Sequence, residues 1–304
     1  MQSPQEGRAF EQLRKVVAGH GGSVHMTTKL SAITDPSTLS GRDFDWATRA
    51  ELDLLVRDEA HLPLFALEVD GAHHELEPEQ ARRDRLKDRL LKEAGIDMLR
   101  VRAADVAVAH GTDQMCAYLA DLWFTAQAFH EAQERGDIGP TEIFIPWATL
   151  RPSPLGGMEP MTPDISVRVM LHEDQARGLL PISGTPSVWS RYRDDVGLVD
   201  VLALLPIRDE LCLISNVTVG LSRVPGVPPA DIAEEVALLD LGRQWISYSQ
   251  GRPEARRLRD LGDQLAGIAA DDGWRTRGSD GVTFEWVAQH LTDDLAQQLW
   301  AGLH

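Results

Sequence analysis

Lysine is scarce in this chain. Four occur, Lys15, Lys29, Lys87 and Lys92, against 26 arginines, so a lysine falling inside a motif carries information. Cysteine is scarcer still. Cys116 and Cys212 each lie in apolar surroundings without metal-ligand spacing, which reads as two buried free thiols rather than a disulfide or zinc framework. No apolar run approaches the ~18 residues of a membrane-spanning helix, and the opening M-Q-S-P-Q-E lacks the pattern of a signal peptide. A cytoplasmic protein with no membrane partner is the expectation. Nucleotide and acyl-transfer motifs are missing too. There is no P-loop and no dinucleotide fingerprint, and Gly220-Leu221-Ser222 runs into Arg223 and Val224 without the glycine a nucleophile elbow needs.

Net positive charge is also lacking. The formal charge is −17, and it is not confined to one end: residues 1–150 carry 16 basic and 25 acidic side chains, and residues 151–304 carry 14 and 22. That balance counts against a protein that binds nucleic acid tightly through a broad basic face. One local exception stands out. Arg82, Arg83, Arg85, Lys87, Arg89, Lys92, Arg100 and Arg102 crowd into one segment.

That segment belongs to the stretch around which the chain is organised, Glu51 to Arg102. Leu52 to Val56 reads as an apolar strand interrupted by Asp53, and Asp58 to His61 as a polar turn. Leu62 to Val69 reads as a second strand ending in Glu68 and Asp70. After Gly71, an amphipathic helix from about Glu79 to Ala94 leads through Gly95 to a third strand, Ile96 to Val101. Strands this apolar are buried on both faces, so an acid within them needs a partner or a metal.

A hairpin with Arg57 opposite Leu62 would set Asp53 opposite Ala66 and Glu51 opposite Glu68. With a side-chain period of two, Asp53, Glu68 and Asp70 then share one face. Three carboxylates on one face repel unless a cation sits among them, and an all-oxygen set suits magnesium, manganese or calcium. Replacing Asp53 or Glu68 by alanine is therefore expected to leave stability unchanged or raise it. For Asp70, capping the helix approach or pairing with an arginine are equal alternatives. On the helix, Gln80, Arg83, Asp84, Lys87 and Leu91 form a stripe at three- and four-residue spacing, so Lys87 can lean towards the acids while Leu86 and Leu90 face the sheet. His73-His74-Glu75 makes a poor zinc site, because adjacent residues point apart and no third ligand is suitably spaced.

Asp53, then Glu68-Val69-Asp70, then a lysine, resembles the PD-(D/E)XK nuclease superfamily. A closer resemblance is to a bacterial domain family, mostly uncharacterised, with the pattern I-E-L-D-G-x-x-H, R-D-x-x-K-D and A-G-I-x-x-L-R. Here these read Leu67 to His74, Arg83 to Asp88 and Ala94 to Arg100. The very-short-patch-repair endonucleases are similar at a greater distance. The resemblance covers roughly the first third of the chain. It implies a restriction-endonuclease-like α/β fold, a mixed sheet flanked by helices, in which Asp53 and Glu68, with Asp70, hold Mg²⁺ or Mn²⁺. The superfamily's usual lysine, two residues after the second acid, is Asp70 here, so the resemblance implies that Lys87 takes that role from the helix. His74 matches the family histidine and would act as general base or orient a phosphate. Glu6, at the start of the first helix, and Gln80 and Arg83 are candidate supporting or phosphate-contacting residues. Equally, Glu6 is a favourable charge at a helix start.

The expected function is metal-dependent hydrolysis of DNA in restriction, phage defence or repair, with RNA left open. The alternative is a non-catalytic nuclease-fold subunit, which would have Lys87 turned away from Asp53 and Glu68. The expected domains are 1–110, nuclease-like; 111–139, a connecting helix and linker; and 140–304, an α+β domain through which a protein partner or a second copy could bind. In the last of these, Ile165 to Leu171, Leu198 to Leu205 and Leu211 to Val219 read as strands. Asp231 to Gln250, Glu254 to Ala270 and Val282 to Leu303 read as helices. Arg191, Arg193, Asp194, Asp195 and Asp200, around Trp189 and Tyr192, read as a solvated charged surface.

Overall fold

The first helix, α1 (Pro4–Gly19), starts where its sequence supplies a cap. The Ser3 hydroxyl accepts from the Glu6 amide while the Glu6 carboxylate accepts from the Ser3 amide, and Pro4 fills the first helical position. Ala9, Leu13 and Val17, spaced by four, bury one face. The chain then forms β1 (Ser23–Lys29), α2 (Gly41–Ala47), β2 (Glu51–Arg57), β3 (Pro63–Asp70), α3 (Pro78–Glu93), β4 (Asp97–Arg102), α4 (Ala103–Val106) and α5 (Met115–Arg135). This is a computed structural model, and it describes residues 3–71, 78–106, 115–146, 150–152, 158–160, 164–194, 196–278 and 281–300.

The four strands lie in the order β1-β2-β3-β4, antiparallel except for the parallel pair β3–β4, which α3 connects. Gly95, at φ 71°, makes the left-handed step from α3 towards β4 that a residue with a Cβ adopts only at a cost. Leu86, Leu90 and Leu91 of α3 pack on Leu52, Leu55, Ala66 and Met98. Phe65, beside Ala66 and so pointing to the opposite face, meets Trp123 and Phe124 of α5 at ring-centroid distances of 4.9 and 5.9 Å. The sheet is thus mixed and covered by helices on both faces, the α/β architecture expected.

The hairpin register differs from the expected one. Leu54 pairs with Leu67, Leu55 with Ala66 and Val56 with Phe65, whereas Arg57 pairs with Pro63 across an irregularity. The turn takes in Leu62, whose amide donates to the Asp58 carboxylate at 2.7 Å, and a bulge adds one further step. The total displacement is two residues. An even displacement leaves every side chain on its original face, so Asp53 and Glu68 still share a face and now stand opposite each other.

The chain divides into two compact units. The first comprises 1–161 with 194–197 and 219–229, and the second comprises 162–193, 198–218 and 230–304. The helix read from sequence as a connector, α5, is part of the first unit and packs on α1. Two short strands follow, β5 (Leu150–Pro152) and β6 (Met158–Pro160).

In the second unit α6 (Asp164–Ala176) replaces the strand expected over Ile165 to Leu171. The alternation of β-branched residues there misleads, because Val167 and Leu171, four apart, are buried while Val169 is exposed. Then come β7 (Ser187–Arg193), β8 (Leu198–Arg208), β9 (Leu211–Gly220), α7 (Pro229–Ser249), β10 (Arg256–Arg257), α8 (Gly262–Ala270), β11 (Trp274–Gly278), α9 (Gly281–His290) and α10 (Asp293–Trp300). The sheet order is β10-β9-β8-β7-β11. β7 runs through the cluster read as a charged surface. Its Trp189 is buried and donates to the Leu299 carbonyl at 3.0 Å, while Arg191 pairs with Asp200 at 2.6 Å. Among the described residues no helix is long and apolar enough to cross a membrane.

Candidate active site

Three side chains predicted from different elements meet. Asp53 comes from β2, Glu68 from β3 and Lys87 from α3. Lys87 Nζ donates to Glu68 Oε2 at 2.6 Å and lies 3.4 Å from the Glu51 carbonyl, and only about a tenth of either side chain is exposed (10% and 11%). Glu68 Oε1 accepts from the Asp53 amide at 3.3 Å, and Asp53 Oδ2 accepts from the Val69 amide at 2.9 Å. Each acid is therefore fixed by the main chain of the strand that carries the other.

The electrostatics of the trio are lopsided. Burial first, then the Glu68 charge, push the Asp53 carboxyl up to about 6; the Val69 amide and the Lys87 ammonium oppose this, and the Glu6 charge adds to it. Among the described residues, one lysine stands against two close carboxylates, which leaves these three side chains short of positive charge. Asp53 Oδ2 is the oxygen that the Val69 amide holds. These features fit a hard divalent ion held by Asp53 and Glu68, since Mg²⁺ is commonly bound by one or two carboxylates plus water and substrate oxygens.

The expected third acid is drawn elsewhere. Asp70 follows Glu68 by two and has the same strand parity, but its carboxylate faces Arg100 of β4, whose Nη1 lies 3.3 Å from Asp70 Oδ1. Arg100 Nη2 donates to Asp88 Oδ1 at 3.0 Å. Pairing with an arginine, one of the alternatives to metal binding, is present in the structure. Among the described residues no group of three His, Cys, Asp or Glu side chains could hold a metal.

The supporting candidates divide. Glu6 caps α1 and still contributes to the field at Asp53. Gln80 donates to Asp84 on its own helix at 3.1 Å. Arg83 lies 3.5 Å from Glu79, also on its helix, and is nearly half exposed. His74 lies outside the described residues. Sequence reading missed Arg100 and its partner Asp88 as a pair. A signal was there, because an arginine between Leu99 and Val101, both buried, must find carboxylates.

No curated protein and no solved structure matches the chain. Residues 1–117, which carry Asp53, Glu68 and Lys87, match the family described as protein of unknown function (DUF2726).

Proposed function

We propose that the chain is a divalent-metal-dependent nuclease that hydrolyses DNA phosphodiester bonds. The observation that carries this reading is the convergence of Asp53, Glu68 and Lys87, contributed by two adjacent strands and the helix that follows them. Asp53 and Glu68 would hold Mg²⁺ or Mn²⁺. When bound, such an ion polarises a phosphate oxygen and lowers the pKa of water. Lys87 supplies the positive charge that the two acids alone lack, next to where a phosphate oxygen gains negative charge. The Val69 amide holds Asp53 Oδ2 in place. Restriction, phage defence and repair remain the settings that suit this chemistry.

The non-catalytic alternative expects Lys87 to point away from the acids. Lys87 Nζ at 2.6 Å from Glu68 favours the enzyme. The test is cleavage of plasmid and linear DNA by purified protein with Mg²⁺ or Mn²⁺ and with EDTA, alongside Asp53→Asn. Metal-dependent cleavage lost in the variant supports the reading. Equal cleavage by both proteins traces the activity to a contaminant and contradicts it.

A further inference from the structure

Arg100 joins the two elements that carry Glu68 and Lys87. Its guanidinium, 7% exposed, reaches Asp70 of β3, two residues beyond Glu68, and Asp88 of α3, the residue after Lys87. Burial alone would lower its pKa, and the charges of Asp88, Asp70, Glu68 and Asp84 outweigh burial and raise it above the ordinary arginine value. The charge therefore stays on, and the group acts as a fixed clasp between strand and helix.

Arg100 is itself seated by residues far along the chain. β4 ends the sheet, and its outer edge would leave main-chain groups unpaired. The Ser222 hydroxyl takes up both such groups of Arg100, accepting from its amide at 2.8 Å and donating to its carbonyl at 3.3 Å, and the Arg223 amide donates to the Met98 carbonyl at 2.8 Å. Ser222 is 2% exposed. At Gly220 a Cβ would stand 2.1 Å from Arg100 Cδ and 3.0 Å from Asp70 Oδ2. Since the guanidinium is pinned by two carboxylates, it cannot swing aside, so only glycine fits. These residues belong to the same unit as the site, yet lie well outside the 1–117 match.

We infer that Arg100 is the positioning residue of the candidate site: it sets α3 on β3 so that Lys87 meets Glu68, withdraws Asp70 from the Asp53–Glu68 pair, and depends for its own placement on Gly220 and Ser222. This deepens the nuclease reading and rests on it for the kinetic readout alone.

The scarcity of lysine supplies a second readout. Lys15, Lys29 and Lys92 are exposed and Lys87 is buried, so acetylation of the full chain by acetic anhydride, followed by peptide mass spectrometry, reports Lys87 placement against three internal references. In the wild type Lys87 reacts roughly tenfold or more slowly than the others, as a side chain reached only through local opening. Arg100→Gln raises Lys87 reactivity to near the exposed lysines. It lowers kcat by about 100-fold, the scale of a misplacement near 1 Å, while KM for DNA stays within about twofold. Arg100→Lys restores part of both, because it keeps the charge and loses the fork. Ser222→Ala, which adds no bulk, moves both readouts in the same direction and carries the test if Arg100→Gln does not fold. Lys87 as slow to react in folded Arg100→Gln and Ser222→Ala as in the wild type overturns the inference, whatever the cleavage. A wild type that cleaves no DNA with either metal overturns the nuclease reading instead, and the acetylation rates still decide the role of Arg100.

Discussion

Lys87 Nζ and Glu68 Oε2 are 2.6 Å apart, with both side chains about nine-tenths buried. Among the described residues, Asp53 lies beside this pair without a cation of its own. The two acids, which look equivalent in sequence, are thus placed differently: Glu68 is neutralised by Lys87, and Asp53 carries the unfavourable charge. Their substitutions should differ accordingly.

Glu68→Gln strands a buried ammonium and should destabilise the protein by about 3–5 kcal/mol. This departs from the expectation drawn from sequence, that removing either acid relieves repulsion and costs nothing. The double variant Glu68→Gln/Lys87→Met, which removes both charges, should recover most of the loss. Urea unfolding of the two variants checks this, and a double variant no better than the single one would count against a buried ion pair.

Asp53→Asn should do the reverse, in a pH-dependent way. The folded-state pKa of Asp53 is about 6 against an ordinary value of 3.8, so between those values the native state keeps a proton that the unfolded chain has released. Wild-type stability therefore falls as pH rises from about 4 to 6, and the full penalty is present above about 6. With EDTA present, Asp53→Asn should be more stable than wild type at pH 7.5 by about 1–2 kcal/mol, a figure discounted for partial solvent screening. The difference should vanish below pH ~4. Thermal melting across that range checks it; a gap independent of pH would mean that Asp53 does not titrate as described.

Divalent ions should reverse the Asp53 penalty. At about 100 times its dissociation constant, Mg²⁺ or Mn²⁺ should stabilise the wild type by ~2.7 kcal/mol through mass action. Asp53→Asn, lacking one anionic ligand, should lose most of that response. Melting with and without metal checks it, and equal stabilisation of the two proteins would place the ion elsewhere.

The legible part of the site was the part governed by local periodicity. Asp53 and Glu68 share a face in any register differing by an even number, so the two-residue error in the hairpin did no harm. Lys87 was legible because helix spacing sets it on the stripe facing the strands. Asp70 was not, because its fate depends on Arg100 in another strand. Ser222 left no sequence signal at all, being 122 residues from Arg100. In the second unit, Ser187 to Arg193 (S-V-W-S-R-Y-R) mixes two aromatics with two arginines. It reads as surface until β8 and β11 are seen on either side and Asp200 is found beside Arg191.

Lys87→Ala tests the central claim most directly, with metal binding and DNA cleavage measured on the same preparation. The account expects the metal to bind at least as tightly, since a competing positive charge is gone. It expects cleavage to fall by about 100- to 1,000-fold, the loss of one electrostatic group worth roughly 2.7–4 kcal/mol of barrier. Lys87→Arg should recover only part of the rate, because a planar guanidinium does not reproduce a compact ammonium. Cleavage at the wild-type rate by both variants would contradict the account, leaving the fold as described and the chemistry somewhere else.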